Sequence, residues 1–138
     1  MNVDDIRQGI VLDHITAGRS MEIYRYLELE KLDCSVAIIK NVRSTRMGKK
    51  DIIKIDELIR LRLELLGYID PGITVNIIRD GIITEKKQLA LPGELRGVLR
   101  CRNPRCITAD EPALESVFVL SDPETSTYRC IYCETRAK

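Results

Sequence analysis

Apolar residues in this chain come in short runs bounded by glycine, proline or charged clusters, and their spacing switches between a period of two and a period near 3.6. Gly-Ile-Val-Leu at 9–12, set between Gln8 and Asp13, predicts a buried strand whose end delivers Asp13 and His14. After a turn at 16–19, Ser20 suits an N-cap and Glu22 the first helical turn, while Ile23, Tyr24 and Leu27 recur on one face. A helix to about Glu30 follows from that spacing. Residues 35–42 and 51–55 are rich in β-branched side chains and read as strands joined by a basic connection at 43–50. Asp56 suits the cap of a second helix, with Leu58, Leu61 and Leu65 in one row, Ile59, Leu63 and Leu66 in the next, and Gly67 at C′.

Asp70-Pro-Gly72 is a turn, 73–78 a strand, and Asp80-Gly81 a strong type I′ signal leading into a further strand at 82–86. The order is β-α-β-β-α-β with an added hairpin strand. Its simplest closure is a ferredoxin-like α+β sandwich, one sheet with two helices on one face. Leu91-Pro92-Gly93 punctuates the chain. Beyond it, 116–120 and 127–132 predict two strands joined by the polar turn 121–126, a small all-β unit. Two domains are expected, 1–91 and 92–138.

Cysteine usage changes the picture of that second unit. Cys101 and Cys106 enclose four residues, Cys130 and Cys133 enclose two, and the span between the pairs is long enough for a hairpin. Each pair can wrap a knuckle around one tetrahedral ion, and four thiolates describe a closed structural zinc site, one ion per chain. Two disulfides are the alternative, but they need an oxidising compartment, and residues 1–16 contain no apolar run suited to a signal peptide. The expectation is a cytoplasmic protein. A unit this small needs the metal to hold it together. Cys34 stands apart beside a predicted strand and is expected to be a small core residue.

Charge narrows the partners. The chain carries 22 basic and 21 acidic side chains, and no stretch approaches the roughly eighteen apolar residues of a membrane span. From Pro92 onward seven basic residues balance seven acidic ones, and four thiolates with one zinc ion bring the unit near minus two. That favours a protein partner. A zinc-ribbon nucleic-acid-binding protein is the alternative, supported by the cysteines and the basic connection at 43–50. A thiol enzyme using Cys130 and Cys133 as a redox pair is a third reading, weakened by the presence of the other pair.

No nucleophile elbow, P-loop or dinucleotide fingerprint occurs, which disfavours an enzyme. Asp13 and His14 are neighbours, and neighbours on a strand point to opposite faces unless the strand is interrupted. Lys50 and Lys54 are four apart in a strand and share a face, while Lys86 and Lys87 close the last strand and are expected near the same region. Several lysines, a histidine and an aspartate at strand ends suit a phosphate chain and a ribose hydroxyl; scattered solubilising charges are the alternative.

Over nearly its whole length the chain resembles the regulatory subunit of aspartate carbamoyltransferase. The resemblance rests on residues 9–15 with Asp13-His14, on Met47-Gly-Lys-Lys-Asp-Ile-Ile-Lys-Ile-Asp56, Thr74-Val-Asn76 and Leu91-Pro92, and on the cysteine spacings with Asn103 and with Tyr132-Cys133-Glu134. It implies a non-catalytic chain with an N-terminal allosteric domain that binds nucleoside triphosphates and a C-terminal zinc domain that docks on the catalytic chain. Regulatory chains of that family pair through their allosteric domains and control the first committed step of pyrimidine synthesis, with CTP typically inhibiting and ATP activating. Carried over by motif, Asp13 and Lys54 meet the ribose and a neighbouring phosphate, His14 and Lys86 the phosphates, and Lys50 a phosphate or a metal-linked contact. Ile6 and the backbone at 81–83 fall where the family recognises the base, with Asn76 nearby. Gly81 stands where the best-known relatives carry an aromatic residue. Asn103 and Glu134 match positions near the catalytic chain, whereas Arg105 and Asp122 depart from the familiar pattern.

Overall fold

The computed structural model describes residues 6–137, and the chain divides into two compact units, Met1–Ala90 and Leu91–Lys138. In the first, β1 (Gln8–Thr16), α1 (Ser20–Tyr26), a 3-10 turn (Leu29–Lys31), β2 (Val36–Ser44), β3 (Gly48–Ile55), α2 (Leu63–Ile69), β4 (Thr74–Arg79) and β5 (Ile82–Gln88) follow in order. The five strands form one antiparallel sheet in the order β2-β3-β1-β4-β5. β3 lies between β1 and β2, so the β1-α1-β2 crossover is split by an antiparallel strand, as a ferredoxin-like sandwich requires. β5 extends the sheet through the expected hairpin, where Asp80 and Gly81 both take positive φ, 54° and 76°.

Alternation along the strands gives the sheet two different faces. Ile10, Leu12, Ile53, Ile55 and Val75 are almost fully buried and, with Ile23 of α1 and Leu65, Leu66 and Ile69 of α2, make the core. Their neighbours Val11, Asp13, Ile52, Lys54, Asn76 and Ile78 line the opposite face. Close approach at the base of β1 needs a glycine, because a Cβ on Gly9 would lie 2.3 Å from the Ile55 carbonyl oxygen.

The helices differ from the sequence expectation. α1 ends at Tyr26 and a separate 3-10 turn covers Leu29–Lys31. Ser20 is the first helical residue and buried, and the cap comes from elsewhere in the fold. The Asp51 carboxylate of β3 accepts from the backbone N–H of Ser20 at 3.3 Å and of Gly18 at 3.1 Å. α2 begins only at Leu63, leaving 56–62 out of the helix and Gly67 inside it, buried. Such a short helix is held by packing, and only Leu65, Leu66, Gly67 and Ile69 find a buried surface, whereas Leu58 is 40% exposed. Cys34 is only partly buried.

The second unit carries a three-stranded antiparallel sheet, β6 (Glu94–Arg96), β7 (Val117–Asp122) and β8 (Thr127–Cys130), with one helical turn, α3 (Ile107–Asp110). Leu95, Val117, Phe118 and Tyr128 form a small core, and the Tyr128 hydroxyl donates to the Pro92 carbonyl. β6 and α3 were not legible in the sequence, being short and without periodicity.

Candidate functional site

Four thiols converge in the second unit. Cys101, Cys106, Cys130 and Cys133 place their Sγ atoms within 4.8 Å of one another, with Cys101 and Cys133 3.5 Å apart and Cys106 and Cys130 3.8 Å apart. A tetrahedral ion with thiolates at ~2.3 Å has ligand-to-ligand edges of about 3.8 Å, so the donor set fits a metal, and the thiols are too far apart for disulfides. All five cysteines are free. Two backbone knuckles present the sulfurs: the Cys106 amide donates to the Asn103 carbonyl at 3.0 Å, and the Glu134 amide to the Cys130 carbonyl at 2.8 Å.

Hydroxyls tune the set. The Thr108 hydroxyl donates to Cys106 at 3.1 Å and lowers its thiol; Thr135, 3.2 Å from Cys133, lowers that thiol to about 6. Burial pushes Cys130 up and Cys101 up to about 12. Asn103 organises this corner, its Oδ1 accepting from the Arg105 amide at 3.0 Å and its Nδ2 donating to Thr135 at 3.2 Å. Glu134 is exposed at the second knuckle, with φ 63°.

The first unit gathers the predicted polar residues on its open sheet face. Register sets them in a row: Lys54 pairs with Val11, Val11 with Asn76 and Asn76 with Lys86, so all four side chains emerge on one side of four adjacent strands. A cleft of about 350 Å³ opens there, lined by Ile6, Asp13, Lys54, Asn76, Gly81 and Ile83 among others. Val11, Ile52 and Ile78 were missed in the sequence, although they sit two residues from Asp13, Lys54 and Asn76 and share their face.

A β-bulge brings Asp13 and His14 together. Pairing with β3 shifts between Leu12 and Ile15, and His14 takes φ 59°. Asp13 Oδ1 accepts from Lys50 Nζ at 2.8 Å and from the His14 amide at 2.7 Å. Burial pushes the Asp13 carboxyl up, but Lys50 and His14 outweigh it and hold it below the ordinary value. His14 Nδ1 lies 3.1 Å from Thr74 Oγ1, a buried hydroxyl that can also donate to Gln88 Oε1 at 3.4 Å. The contact with Thr74 orients the His14 ring, and either partner can donate in it. Thr74 was not singled out as a site residue in the sequence.

Lys86 and Lys87 do not converge. Lys86 stands opposite Asn76, whereas Lys87 stands opposite Val75 and lines a separate cleft with Ile10, Ile59 and Leu63 on the other face. Strand alternation separates them.

Comparison with known proteins agrees with both units. A family model described as the aspartate carbamoyltransferase regulatory chain, allosteric domain, matches residues 1–90, and one described as the metal binding domain of that chain matches 93–138. Relatives named aspartate carbamoyltransferase regulatory chain are 45% identical in Clostridium botulinum strain Hall, over 97% of this chain and 92% of the relative. The Clostridium tetani relative is 47% identical over 97% and 94%, and that of Bifidobacterium longum 42% over 100% and 99%. The chain belongs to the family of aspartate carbamoyltransferase regulatory chains, the non-catalytic subunits of that enzyme.

Proposed function

We propose that this subunit senses nucleoside triphosphates such as CTP, UTP and ATP on the open sheet face of the first unit and so controls the first committed step of pyrimidine biosynthesis. The observation that carries this reading is the cross-strand row Lys54, Asn76, Lys86 above a cleft that also takes in Asp13. Lys54 and Asp13 suit a ribose and the phosphate beside it. Lys86 and His14 suit the distal phosphates, with His14 held by Thr74 so that Nε2 is left for the ligand. Lys50 acts through Asp13, whose carboxylate it keeps charged and placed. Ile6 and Asn76 suit the base.

An effector alters activity only by the difference in its affinity for two quaternary states, typically a coupling of ~1–3 kcal/mol. The second unit supplies the link. Cys101, Cys106, Cys130 and Cys133 would hold one zinc ion, which supplies the cross-link that a core built on Leu95, Val117, Phe118 and Tyr128 is too small to provide. The unit then docks on the catalytic chain, with Asn103 and Glu134 at or near the contact, while the first units pair as a regulatory dimer in the cytoplasm. Its charge near minus two supports a protein partner over nucleic acid. Co-purification with the catalytic chain, followed by assays with CTP, UTP and ATP, tests this reading; no complex and no nucleotide response would overturn it.

A further inference from the structure

Each sulfur of the cysteine cluster accepts from the backbone N–H of the residue two positions on: Asn103 for Cys101, Thr108 for Cys106, Tyr132 for Cys130 and Thr135 for Cys133. Two of those residues are threonines, and each adds its hydroxyl. Thr108 Oγ1 lies 3.1 Å from Cys106 Sγ and Thr135 Oγ1 3.2 Å from Cys133 Sγ, one hydroxyl on each knuckle. Thr108 serves a buried sulfur. Cys133, like Cys101, is only partly buried, so Thr135 works at the open side of the cluster.

A neighbour orients the Thr135 hydroxyl. Asn103 Oδ1 accepts from the Arg105 amide at 3.0 Å, and this sets the side chain so that Nδ2 points at Thr135 Oγ1, 3.2 Å away. An amide nitrogen only donates, so Thr135 Oγ1 accepts there and turns its own hydrogen to Cys133. A metal-bound thiolate is an acceptor, and the hydrogen bond to it is charge-assisted. The relay from Asn103 through Thr135 to Cys133 starts on the first knuckle and ends on a sulfur of the second, so it straps the two together at their exposed edge. The backbone reinforces the strap, since the Thr135 carbonyl accepts from the Cys130 amide at 3.0 Å.

Resting on the metal reading above, we infer that Thr135 is a positioning residue for the ion: aimed by Asn103, its hydroxyl holds Cys133 as a ligand and slows loss of the metal through the open side of the cluster. Four thiolates on one divalent ion carry excess negative charge, and a donor to sulfur spreads that charge while fixing the direction of the ligand. Removing a partner of this kind weakens metal binding about 10–100-fold.

Release of zinc from the full zinc-loaded chain to excess 4-(2-pyridylazo)resorcinol tests this. Thr135→Val keeps the side chain's shape and removes the hydroxyl; Thr135→Ser keeps the hydroxyl and removes only a methyl group. Release should be about tenfold or more faster in Thr135→Val and within about threefold of the parent in Thr135→Ser. In the cobalt(II)-loaded chain the sulfur-to-metal charge-transfer band should move to lower energy in Thr135→Val and stay in place in Thr135→Ser, because a thiolate without its donor gives up electron density more readily. Parent-like release or an unmoved band in Thr135→Val overturns the assignment. So does release from Thr135→Ser as fast as from Thr135→Val, which would leave the role to packing. A parent chain that takes up no zinc overturns the metal reading itself, an outcome seen without any variant.

Discussion

Lys50 Nζ sits 2.8 Å from Asp13 Oδ1, an ion pair in which both side chains are mostly shielded, at 16% and 22% exposure. The bulge in β1 turns Asp13 out of the ladder with β3 and toward this lysine. Lys50→Ala removes the partner and leaves a partly buried carboxylate. The expected loss is about 1–2 kcal/mol, between the values for exposed and buried pairs, read by denaturant unfolding. Nucleotide affinity should fall with it, because Asp13 loses its placement. An unchanged affinity would show that Lys50 does not position Asp13.

Asp51 ties the start of α1 to β2. Fully buried on β3, its carboxylate accepts from the backbone N–H groups of Gly18, Ser20 and Asn41, the last at 3.0 Å. Burial pushes the carboxyl up, but bonds from Ser20, Asn41 and Gly18 outweigh it and hold it below the ordinary value. A depressed carboxyl contributes stability above the unfolded value of about 3.9, and that stability is lost as pH falls below it. Asp51→Asn should cost roughly 2–3 kcal/mol at neutral pH and flatten the acid limb of the stability curve. A steep acid limb retained in the variant would assign the titration to other groups.

Adjacent lysines on β5 should behave differently. Lys86→Ala removes a cation from the open face and should weaken triphosphate binding about tenfold or more. Lys87→Ala alters the other face and should change binding less than twofold. Equal effects would mean that long-range charge, not a contact, drives binding, and raising the salt would then weaken both alike.

Part of this arrangement was legible in the sequence. The bounded apolar runs at 9–12 and 73–78, together with Asp80-Gly81, identified two central strands and the hairpin, because such runs and a type I′ turn are local signals. The cysteine spacings found the metal cluster for the same reason. The leucine rows at 58–66 misled, since their helical period holds whether or not a surface exists to bury them, and only the last turns pack. The cap of α1 by Asp51 and the Thr74 contact to His14 depend on strands distant in sequence. Opposite faces for Lys86 and Lys87 could have been read from alternation alone.

Metal removal should act on the second unit first. Cys130→Ser removes one of four converging thiols, the others being Cys101, Cys106 and Cys133. Elemental analysis should give one zinc per chain for the parent and little for the variant. Loss of the β6-β7-β8 transition with the first unit's transition retained is the expected melting behaviour. Simultaneous loss of both transitions would mean that the two units do not fold independently.

The most direct test is to assemble this chain with the catalytic chain of aspartate carbamoyltransferase and measure the aspartate response with and without CTP, UTP and ATP. The account predicts a stable complex in which at least one nucleotide shifts half-saturation, within the roughly 5–150-fold range of ordinary coupling, and a Lys54→Ala complex that has lost the shift. A stable complex indifferent to all three nucleotides would contradict it.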